Sequence, residues 1–173
     1  MTDAAPSRLR VMPRISLANK MRRGLWLMTW FLLCRFTPVA LHSWRSAVLR
    51  LFGAQIPGRA FPYPSARIWA PWNLEMGTDS CLASGVDCYN VTRIRLGTGV
   101  TVSQRSYLCT ASHDFNNPHF PLIAGEIDIK SGAWVAAECF VGPGVSIAEN
   151  AVVLARSVVV RDIAPNNVVA GNP

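Results

Sequence analysis

His113 is the side chain that this sequence places best for chemistry. It stands directly before Asp114–Asp128, a stretch of fifteen residues rich in Asn and Pro. Long loops on a rigid scaffold often carry functional residues. An imidazole exchanges its proton near neutral pH, so His113 could serve as an acid or a base. An ordinary surface histidine is the alternative explanation.

The scaffold around His113 is a six-residue repeat between Met76 and Ala164. One column of the repeat is apolar, and a second, four places further on, is small or β-branched. The first column is Met76, Leu82, Cys88, Leu96, Val102, Leu108, Ile129, Val135, Val141, Ile147, Val153 and Val159. The second is Ser80, Val86, Thr92, Val100, Ser106, Ser112, Ala133, Cys139, Val145, Ala151, Ser157 and Ile163. This period predicts an all-β fold, a parallel β-helix of three-sided coils with both columns inside.

The repeat breaks at two places. Ile94 and Arg95 are two extra residues, few enough for a bulged corner. Asp114–Asp128 replaces a whole hexad and cannot lie in the coil. Because Ser112 falls on an inward column, the side chain of His113 is predicted to point outward beside this loop. That direction disfavours a hydrogen-bonded core histidine.

The net charge of +7 is concentrated at one end of the 173-residue chain. Residues 1–55 contain nine Lys/Arg and one acidic residue, whereas residues 56–173 contain eight basic and nine acidic residues. A nucleic-acid groove along the coil is therefore disfavoured. The five cysteines form no Cys-x-x-Cys pair and no zinc-type cluster. Cys88 and Cys139 fall on inward columns, which predicts buried, reduced thiols in a reducing compartment.

Residues 1–55 are predicted to form a basic, Trp-rich helical arm ahead of a β-helix domain at 56–173. Residues 1–13 look disordered, and residues 15–52 have helical spacing of apolar side chains. The apolar run Leu25–Cys34 is about half the length that a membrane span needs. Arg35 follows it with no Ala-x-Ala site, which disfavours a signal peptide.

Two roles for this arm stay open. Its helices can pack on the coil or a neighbouring subunit, they can lie on an anionic membrane surface, or both. On a membrane the arginines would face headgroups and the tryptophans the interface. These residues are Arg22, Arg23, Arg35, Arg45, Arg50, Trp26, Trp30 and Trp44. Gly53–Asn73, with four prolines, is predicted to form irregular first coils that close the core.

Five stretches of the β-helix region match the pattern of a known family. They are Thr110–Phe115, Gly132–Ala136, Val141–Val145, Ala155–Val159 and Val169–Pro173. They resemble the hexapeptide-repeat sugar O-acetyltransferases, in particular the colanic-acid-type and nodulation-type enzymes of polysaccharide biosynthesis. The resemblance covers roughly residues 56–173, and the arm is similar to that of the colanic-acid branch. It implies a left-handed β-helix, a hand that general crossover rules would not predict.

The resemblance assigns catalytic roles. The histidine that matches His113 is a general base, which takes the proton of a sugar hydroxyl as that oxygen attacks the thioester of acetyl-CoA. Asp114 either orients the ring or merely starts the loop. His119 would be a surface or substrate-contacting residue.

An acceptor-binding residue is expected one coil earlier. Asn90 resembles an asparagine that contacts the acceptor or intermediate in related galactoside and maltose acetyltransferases. Tyr89 is a near alternative, as are Asp87 and Arg93. Turn geometry alone would also explain an asparagine at a corner.

By the same resemblance, acetyl-CoA lies along a groove with small walls and a basic residue near its nucleotide. The matching residues are Trp134, Ala136, Gly142, Ala155, Val160 and Arg161. The repeat points Trp134 and Ala136 outward, as a groove requires, although Trp134 equally fits a subunit contact. The family carries basic residues after Gly-Asn-Pro that reach the CoA phosphates. This chain ends at Pro173, which predicts a truncated chain or a weaker CoA site.

The sequence therefore predicts an acetyl-CoA-dependent O-acetyltransferase acting on a sugar or a polysaccharide or lipid-linked glycan precursor, by direct transfer without a metal. Family enzymes are trimers with sites between subunits, so His113 of one chain is expected to meet Trp134 of the next. The expected location is cytoplasmic, on the inner face of the membrane if the arm binds lipid. The alternative is a non-catalytic β-helix scaffold. A carbonic anhydrase of the related fold would need more histidines than His113 and His119.

Overall fold

A three-sided parallel β-helix forms the body of the protein, and a helical arm lies against its first coils. The computed structural model describes residues 8–13 and 16–173. Its helices are α1 (Leu17–Leu33) and α2 (His42–Leu51). Its strands are β1 (Arg10–Val11), β2 (Phe61–Pro62), β3 (Arg67–Ile68), β4 (Leu74–Met76), β5 (Cys81–Leu82), β6 (Asp87–Tyr89), β7 (Ile94–Leu96), β8 (Thr101–Val102), β9 (Tyr107–Cys109), β10 (Ala111–His113), β11 (Leu122–Ala124), β12 (Ile127–Ile129), β13 (Trp134–Val135), β14 (Phe140–Val141), β15 (Ser146–Ile147), β16 (Val152–Val153), β17 (Val158–Val159) and β18 (Val168–Val169).

The coils contribute short strands to three flat faces. Face 1 contains β4, β7, β12 and β15, face 2 contains β2, β5, β8, β13, β16 and β18, and face 3 contains β3, β6, β9, β14 and β17. Strands of successive coils pair in parallel, so that Trp134 lies between Thr101 and Val152. The predicted parallel β-helix with a helical arm is confirmed.

The core consists of the inward columns. All twelve residues of the first column are at most 4% exposed. The second column is buried except at Thr92, which is half-buried, and Ser112, which is exposed. The prediction that Ser112 points inward is wrong, because the chain has already left the coil and Ser112 pairs with Ile123 in an antiparallel hairpin.

The cysteines agree with the sequence prediction. Cys88 and Cys139 are buried, and all five cysteines are free thiols. Burial raises the pKa of both side chains, which keeps them protonated. Within the described residues, no group of three or more His, Cys, Asp or Glu side chains could hold a metal ion.

Every enlargement of the coil lies at the corner between face 3 and face 1. In the first coil it is a 3₁₀ turn at Pro71–Asn73, in the second it is residues 90–93, and in the third it is the β10–β11 hairpin. Ile94 and Arg95 are therefore not the inserted residues, since both lie in β7. The coil resumes at Ile127, opposite Ile94. The segment that leaves the coil, which contains the β10–β11 hairpin, therefore begins and ends earlier than the predicted Asp114–Asp128.

The start of the chain is ordered where the structure describes it. Arg10 pairs with Ala124 and Val11 with Ile123, so β1 extends the β10–β11 hairpin to three strands. Arg8 forms a salt bridge with Asp162 at 3.1 Å. The prediction of a disordered lead is wrong for residues 8–13, and residues 1–7 lie outside the described part.

Tryptophans attach α1 to the coil. Ser16 caps the helix by accepting a hydrogen bond from the backbone N–H of Asn19 at 3.2 Å. Trp26 is buried and donates from Nε1 to the carbonyl oxygen of Ile68 at 2.7 Å. Its ring lies 5.1 Å from that of Phe52. Neither helix has the length and hydropathy that crossing a bilayer requires.

A fully buried arginine joins α2 to the first coil. Arg45 donates from Nε to the carbonyl oxygen of Pro62 at 2.7 Å. Its two other nitrogens donate to side-chain and carbonyl acceptors in the α1–α2 connection and to His42 Nδ1. No carboxylate of the described residues pairs with Arg45. Its guanidinium has lost its hydration shell, and hydrogen bonds to neutral acceptors replace the lost bonds to water.

Arg45→Met should lower the free energy of unfolding by about 3 kcal/mol or more, because it leaves several buried carbonyl oxygens without donors. Urea denaturation measures this loss. Arg59→Met is the matched control, since Arg59 is exposed and forms a surface salt bridge with Asp79 at 2.7 Å. That control should cost less than about 1 kcal/mol. Equal losses in the two variants would contradict this role for Arg45.

Candidate active site

The β10–β11 hairpin presents His113 outside the coil. His113 pairs with Leu122 across the hairpin, and residues 114–121 form its loop. The loop is closed by backbone hydrogen bonds from Asp114 N to Pro121 O at 3.0 Å and from Phe120 N to Asn117 O at 2.8 Å. A ring on this hairpin is therefore exposed to solvent but held by ordered backbone.

The contacts of His113 fix its ring and its tautomer. Its Nδ1 lies 2.9 Å from the carbonyl oxygen of Phe120. A carbonyl oxygen can only accept, so Nδ1 carries the proton. The neutral ring then has its lone pair on Nε2, which is the arrangement of a general base.

Phe120 also stacks on the histidine. The two rings are 4.6 Å apart and 6° from parallel. Phe120 has a φ of +45°, in the left-handed region that bulky residues rarely adopt. Such strain is often stored at functional sites. Sequence reasoning missed Phe120, and its only signal was an aromatic residue just before Pro121 in the loop after a histidine.

Asp114 lies at the start of the loop, and within the described residues its side chain makes no hydrogen bond to the ring. Its Oδ1 accepts from the backbone N–H of Asn116 at 3.1 Å, which is an Asx turn. Of the two roles left open for Asp114, this geometry fits the start of the loop, and Phe120 O takes the orienting role. His119 is exposed, and its backbone N–H donates to Asn117 Oδ1 at 3.0 Å.

The side chain of Asn90, predicted to contact the acceptor sugar, is buried inside the fold. It is 0% exposed, its Oδ1 accepts from Ala70 N at 2.9 Å, and its Nδ2 donates to Ala70 O at 2.7 Å. Both ends of the amide are used within the fold, which contradicts the predicted substrate contact. The turn explanation is not supported either, because the side chain bonds to Ala70 one coil away and not to its own turn. Asn90 instead ties the second coil's corner to the first.

Tyr89 and Asp87 face outward from β6. Both line a cavity of about 670 Å³ between α1 and face 3. Tyr89 pairs with Cys109, at the end of the strand that precedes the hairpin. Arg93 pairs with Glu75 at 3.2 Å, on the other side of the corner. Of the acceptor candidates, Tyr89 and Asp87 therefore lie beside an open space, and Asn90 and Arg93 do not line it.

The residues predicted to contact CoA differ in exposure. Trp134 is 46% exposed and donates from Nε1 to Ser103 Oγ at 2.9 Å. Ala155, Val160 and Arg161 are exposed. Ala136 is only 6% exposed, so its predicted outward direction is wrong; the chain turns the corner after β13 and its carbonyl oxygen accepts from Ser106 Oγ at 2.8 Å.

Gly142 is buried where two coils approach closely. An added Cβ would lie 3.4 Å from the carbonyl oxygen of Val159 and 3.5 Å from a methyl group of Val160. Val160 and Arg161 line a hollow of about 280 Å³ together with the C-terminal residues 169–173. Of the predicted CoA contacts, only Val160 and Arg161 therefore line this hollow, and Gly142 lies next to Val160.

One chain does not bring the two halves of the predicted site together. His113 leaves the coil at the corner between face 3 and face 1. Trp134 is on face 2, the face opposite that corner. In the triangular cross-section of the coil, the packed core therefore lies between His113 and Trp134 of the same chain.

Comparison with known proteins identifies the family. A scan against models of protein families finds no match. The chain is 38% identical over 155 residues to an Escherichia coli (strain K12) protein that carries the provisional name colanic acid biosynthesis acetyltransferase WcaF. The aligned part covers 90% of this chain and 85% of that relative.

Solved structures agree on the fold. A galactoside acetyltransferase in complex with coenzyme A superposes with a TM-score of 0.84 at 19% identity, covering 94% of this chain and 82% of that one. A hexapeptide-repeat acetyltransferase from Vibrio cholerae O1 biovar eltor, complexed with acetyl-CoA, gives 0.80 at 21% identity, covering 92% and 87%. The coil is thus the left-handed β-helix that the resemblance implied. By its sequence identity, the chain belongs to the hexapeptide-repeat acetyltransferases, in the branch of the colanic acid biosynthesis acetyltransferases.

Proposed function

We propose that this protein is an acetyl-CoA-dependent O-acetyltransferase that acetylates a hydroxyl group of a sugar or of a polysaccharide or lipid-linked glycan precursor. The observation that carries the proposal is the hydrogen bond from His113 Nδ1 to the carbonyl oxygen of Phe120. It leaves Nε2 free as a base on an exposed ring. The names of the relatives, and the acetyl-CoA and CoA in two solved relatives, support the donor.

His113 Nε2 takes the proton of the acceptor hydroxyl while that oxygen attacks the thioester carbonyl. The tetrahedral intermediate collapses, the carbon–sulfur bond breaks, and the imidazolium returns its proton to the departing CoA sulfur. Phe120 O accepts from Nδ1 in both protonation states, so the ring does not have to turn between the two steps. One histidine therefore suffices for direct transfer without a covalent enzyme intermediate.

The donor site is completed by a second subunit. His113 and Trp134 stand on opposite sides of the coil, so they can meet only when two chains pack side by side. A cyclic homotrimer supplies three such contacts with a single kind of interface. The pantetheine arm of acetyl-CoA then lies along Trp134 of one chain, with its thioester at His113 of the next. Val160 and Arg161 extend the groove toward the nucleotide.

The arm attaches the enzyme to an anionic membrane surface. On the side of α1 opposite Trp26 and Trp30, an apolar stripe is exposed at helical spacing: Leu17, Met21, Leu25, Met28 and Leu32. Residues 16–52 contain no Asp or Glu, and four of their six Lys/Arg side chains are exposed, namely Lys20, Arg22, Arg35 and Arg50. The predicted membrane contacts of Arg45, Trp26 and Trp30 are wrong, because these three side chains are buried against the coil. Apolar exposure beside positive charge is the pattern of an interfacial helix.

His113→Ala should lower acetyl-CoA turnover by about 10²–10⁴-fold, because the hydroxyl loses its base. The measurement is acceptor-stimulated thiol release over a panel of free, nucleotide-linked and lipid-linked sugars. Asp114→Asn is the matched control, since an amide oxygen preserves the Asx turn beside the histidine. It should stay within about threefold of wild type. Full activity of His113→Ala would contradict the mechanism, and no turnover with any acceptor would favour the scaffold alternative.

Mixing inactive subunits tests the shared site. His113→Ala and Trp134→Ala chains are unfolded separately, combined in equal amounts and refolded. In random trimers the mixture should regain about a quarter of wild-type activity, since roughly three quarters of the trimers are mixed and each holds one intact site of three. Activity equal to the mean of the two separate variants would mean that each site lies within one chain.

Serine substitutions test the membrane surface. Replacing Leu25, Met28 and Leu32 with Ser should weaken binding to vesicles containing anionic phospholipid by at least about tenfold, because three interfacial apolar side chains are lost. Co-sedimentation measures binding. Leu154→Ser with Val168→Ser is the control, because both residues are exposed on the coil. Wild-type protein that stays in the supernatant, or equal loss in the control, would contradict membrane attachment.

A further inference from the structure

The cavity between α1 and face 3 is a second built space, separate from the histidine ring. Its volume is about 670 Å³, larger than one sugar ring needs. One wall is α1 with Leu27 and Trp30, and the opposite wall is face 3 with Trp69, Tyr89 and Tyr107. Nothing in the transfer chemistry of His113 requires this space.

The lining of this cavity is strongly basic. Four arginines line it, namely Arg23, Arg35, Arg67 and Arg105, against a single acid, Asp87. Arg67 lies 3.6 Å from Asp87, and Arg105 pairs with Glu138 outside the cavity. Arg23 and Arg35 pair with no carboxylate of the described residues. At least two positive charges therefore face the space without a counter-ion.

Arg23 and Trp30 lie at the wall of this cavity with incomplete hydrogen bonding. Trp30 is 7% exposed, and within the described residues neither its Nε1 nor the Nε of Arg23 has a hydrogen-bond partner. Both atoms are shielded from solvent, so a ligand in the cavity cannot accept from them in this conformation. Arg23 also stacks on Trp69, 3.0 Å from the ring centroid, and its burial lowers its pKa. An anionic ligand in the cavity would compensate the charge of Arg23.

Tyr89 and Tyr107 on the aromatic wall suit the ring of a sugar, whereas the face of Trp69 is already covered by Arg23. Trp69 and Tyr89 are 4.8 Å apart, and Tyr89 and Tyr107 are 6.5 Å apart, so three rings follow one another up face 3. Aromatic walls with a few convergent polar groups are typical of ligand sites. Tyr89 pairs with Cys109 at the end of β9, the strand that leads into the hairpin with His113.

We propose that this cavity binds a phosphate or diphosphate group attached to the acceptor sugar, so that the enzyme selects phosphorylated glycosyl acceptors over neutral ones. The arginines come from different elements and approach from several directions. This arrangement suits a tetrahedral oxyanion, whose oxygens point in several directions. A planar carboxylate would need only one arginine, which binds both of its oxygens through two parallel hydrogen bonds. The inference rests on the proposed function, because it assumes that the bound sugar is the acceptor of His113.

Direct binding separates this inference from catalysis. Isothermal titration calorimetry with full-length His113→Ala protein, which keeps the cavity and lacks the base, compares glucose 1-phosphate with glucose. We expect the phosphate ester to bind at least about tenfold more tightly, and the difference to shrink as salt is raised. Equal binding of the two sugars, or tighter binding of glucuronate than of glucose 1-phosphate, overturns the proposal whether or not the enzyme is active.

Matched arginine variants locate the site. Arg67 and Arg59 each pair with an aspartate twenty residues further along, Asp87 and Asp79, but only Arg67 lines the cavity. Arg67→Gln should weaken glucose 1-phosphate binding by about tenfold, and Arg59→Gln should leave it unchanged. Equal loss in both variants overturns the proposal.

Turnover then distinguishes the carriers. Wild-type thiol release is compared with glucose, UDP-glucose and glucose joined through a diphosphate to a short isoprenoid. A preference for either diphosphate over glucose supports the proposal, and the better of the two names the carrier. Turnover with neutral glucose alone overturns the proposal and leaves the acetyltransferase function standing.

Discussion

The structure depends on the parallel stacking of its coils around the inward columns. Each coil pairs residue by residue with its neighbours, and the apolar first column fills the interior with almost no exposure. A strand shifted by one residue would turn every inward side chain outward, so the register is strongly determined. The resulting rod is rigid, and the position of any outward side chain is fixed by its face and coil number. That constraint holds His113 at one corner and Trp134 on the opposite face.

Extra residues can be inserted at the corners of the β-helix without disturbing its strands. In this protein the same corner, between face 3 and face 1, is enlarged in three successive coils. The 3₁₀ turn, the corner that Asn90 braces, and the β10–β11 hairpin are stacked in successive coils. The buried amide of Asn90 supports the layer beneath the hairpin. Met12 N donates to Leu122 O at 2.8 Å, which holds the start of the chain on the outer edge of that hairpin. His113, the proposed base, therefore lies on ordered backbone, although its ring is exposed.

The sequence predicted the coil because a period of six fixes both columns at once. It could predict neither the ends of the hairpin nor the direction of Ser112. Ser112 still matches the repeat by residue type, so the repeat does not reveal that the chain has already left the coil. Asn90 was misassigned because an asparagine side chain at a corner can hydrogen-bond equally well to a ligand or to a backbone amide group of the protein. Ala136 was misassigned because strict alternation fails where the chain turns. Phe120 left only a weak signal, an aromatic residue before Pro121, since its contact with His113 uses a carbonyl oxygen and an unusual φ. The prediction of an outward His113 was right, although the residue lies on a hairpin and not on the lattice that suggested it.

The arm shows how one helix can serve two surfaces. Trp26 and Trp30 attach α1 to the coil, and the opposite stripe is free for a lipid surface. The cavity lies between the same helix and face 3, with Leu27 at its edge. In the proposed enzyme, α1 would therefore contact both the membrane and a phosphorylated acceptor bound in the cavity.

The measurement that tests the central claim most directly is a crystal structure of the protein with bound acetyl-CoA. The account predicts a trimer in which the thioester carbonyl lies within reach of a hydroxyl hydrogen-bonded to His113 Nε2, while the pantetheine arm follows Trp134 of the partner subunit. A CoA that contacts His113 and Trp134 of the same chain, or that lies away from the hairpin, would contradict it.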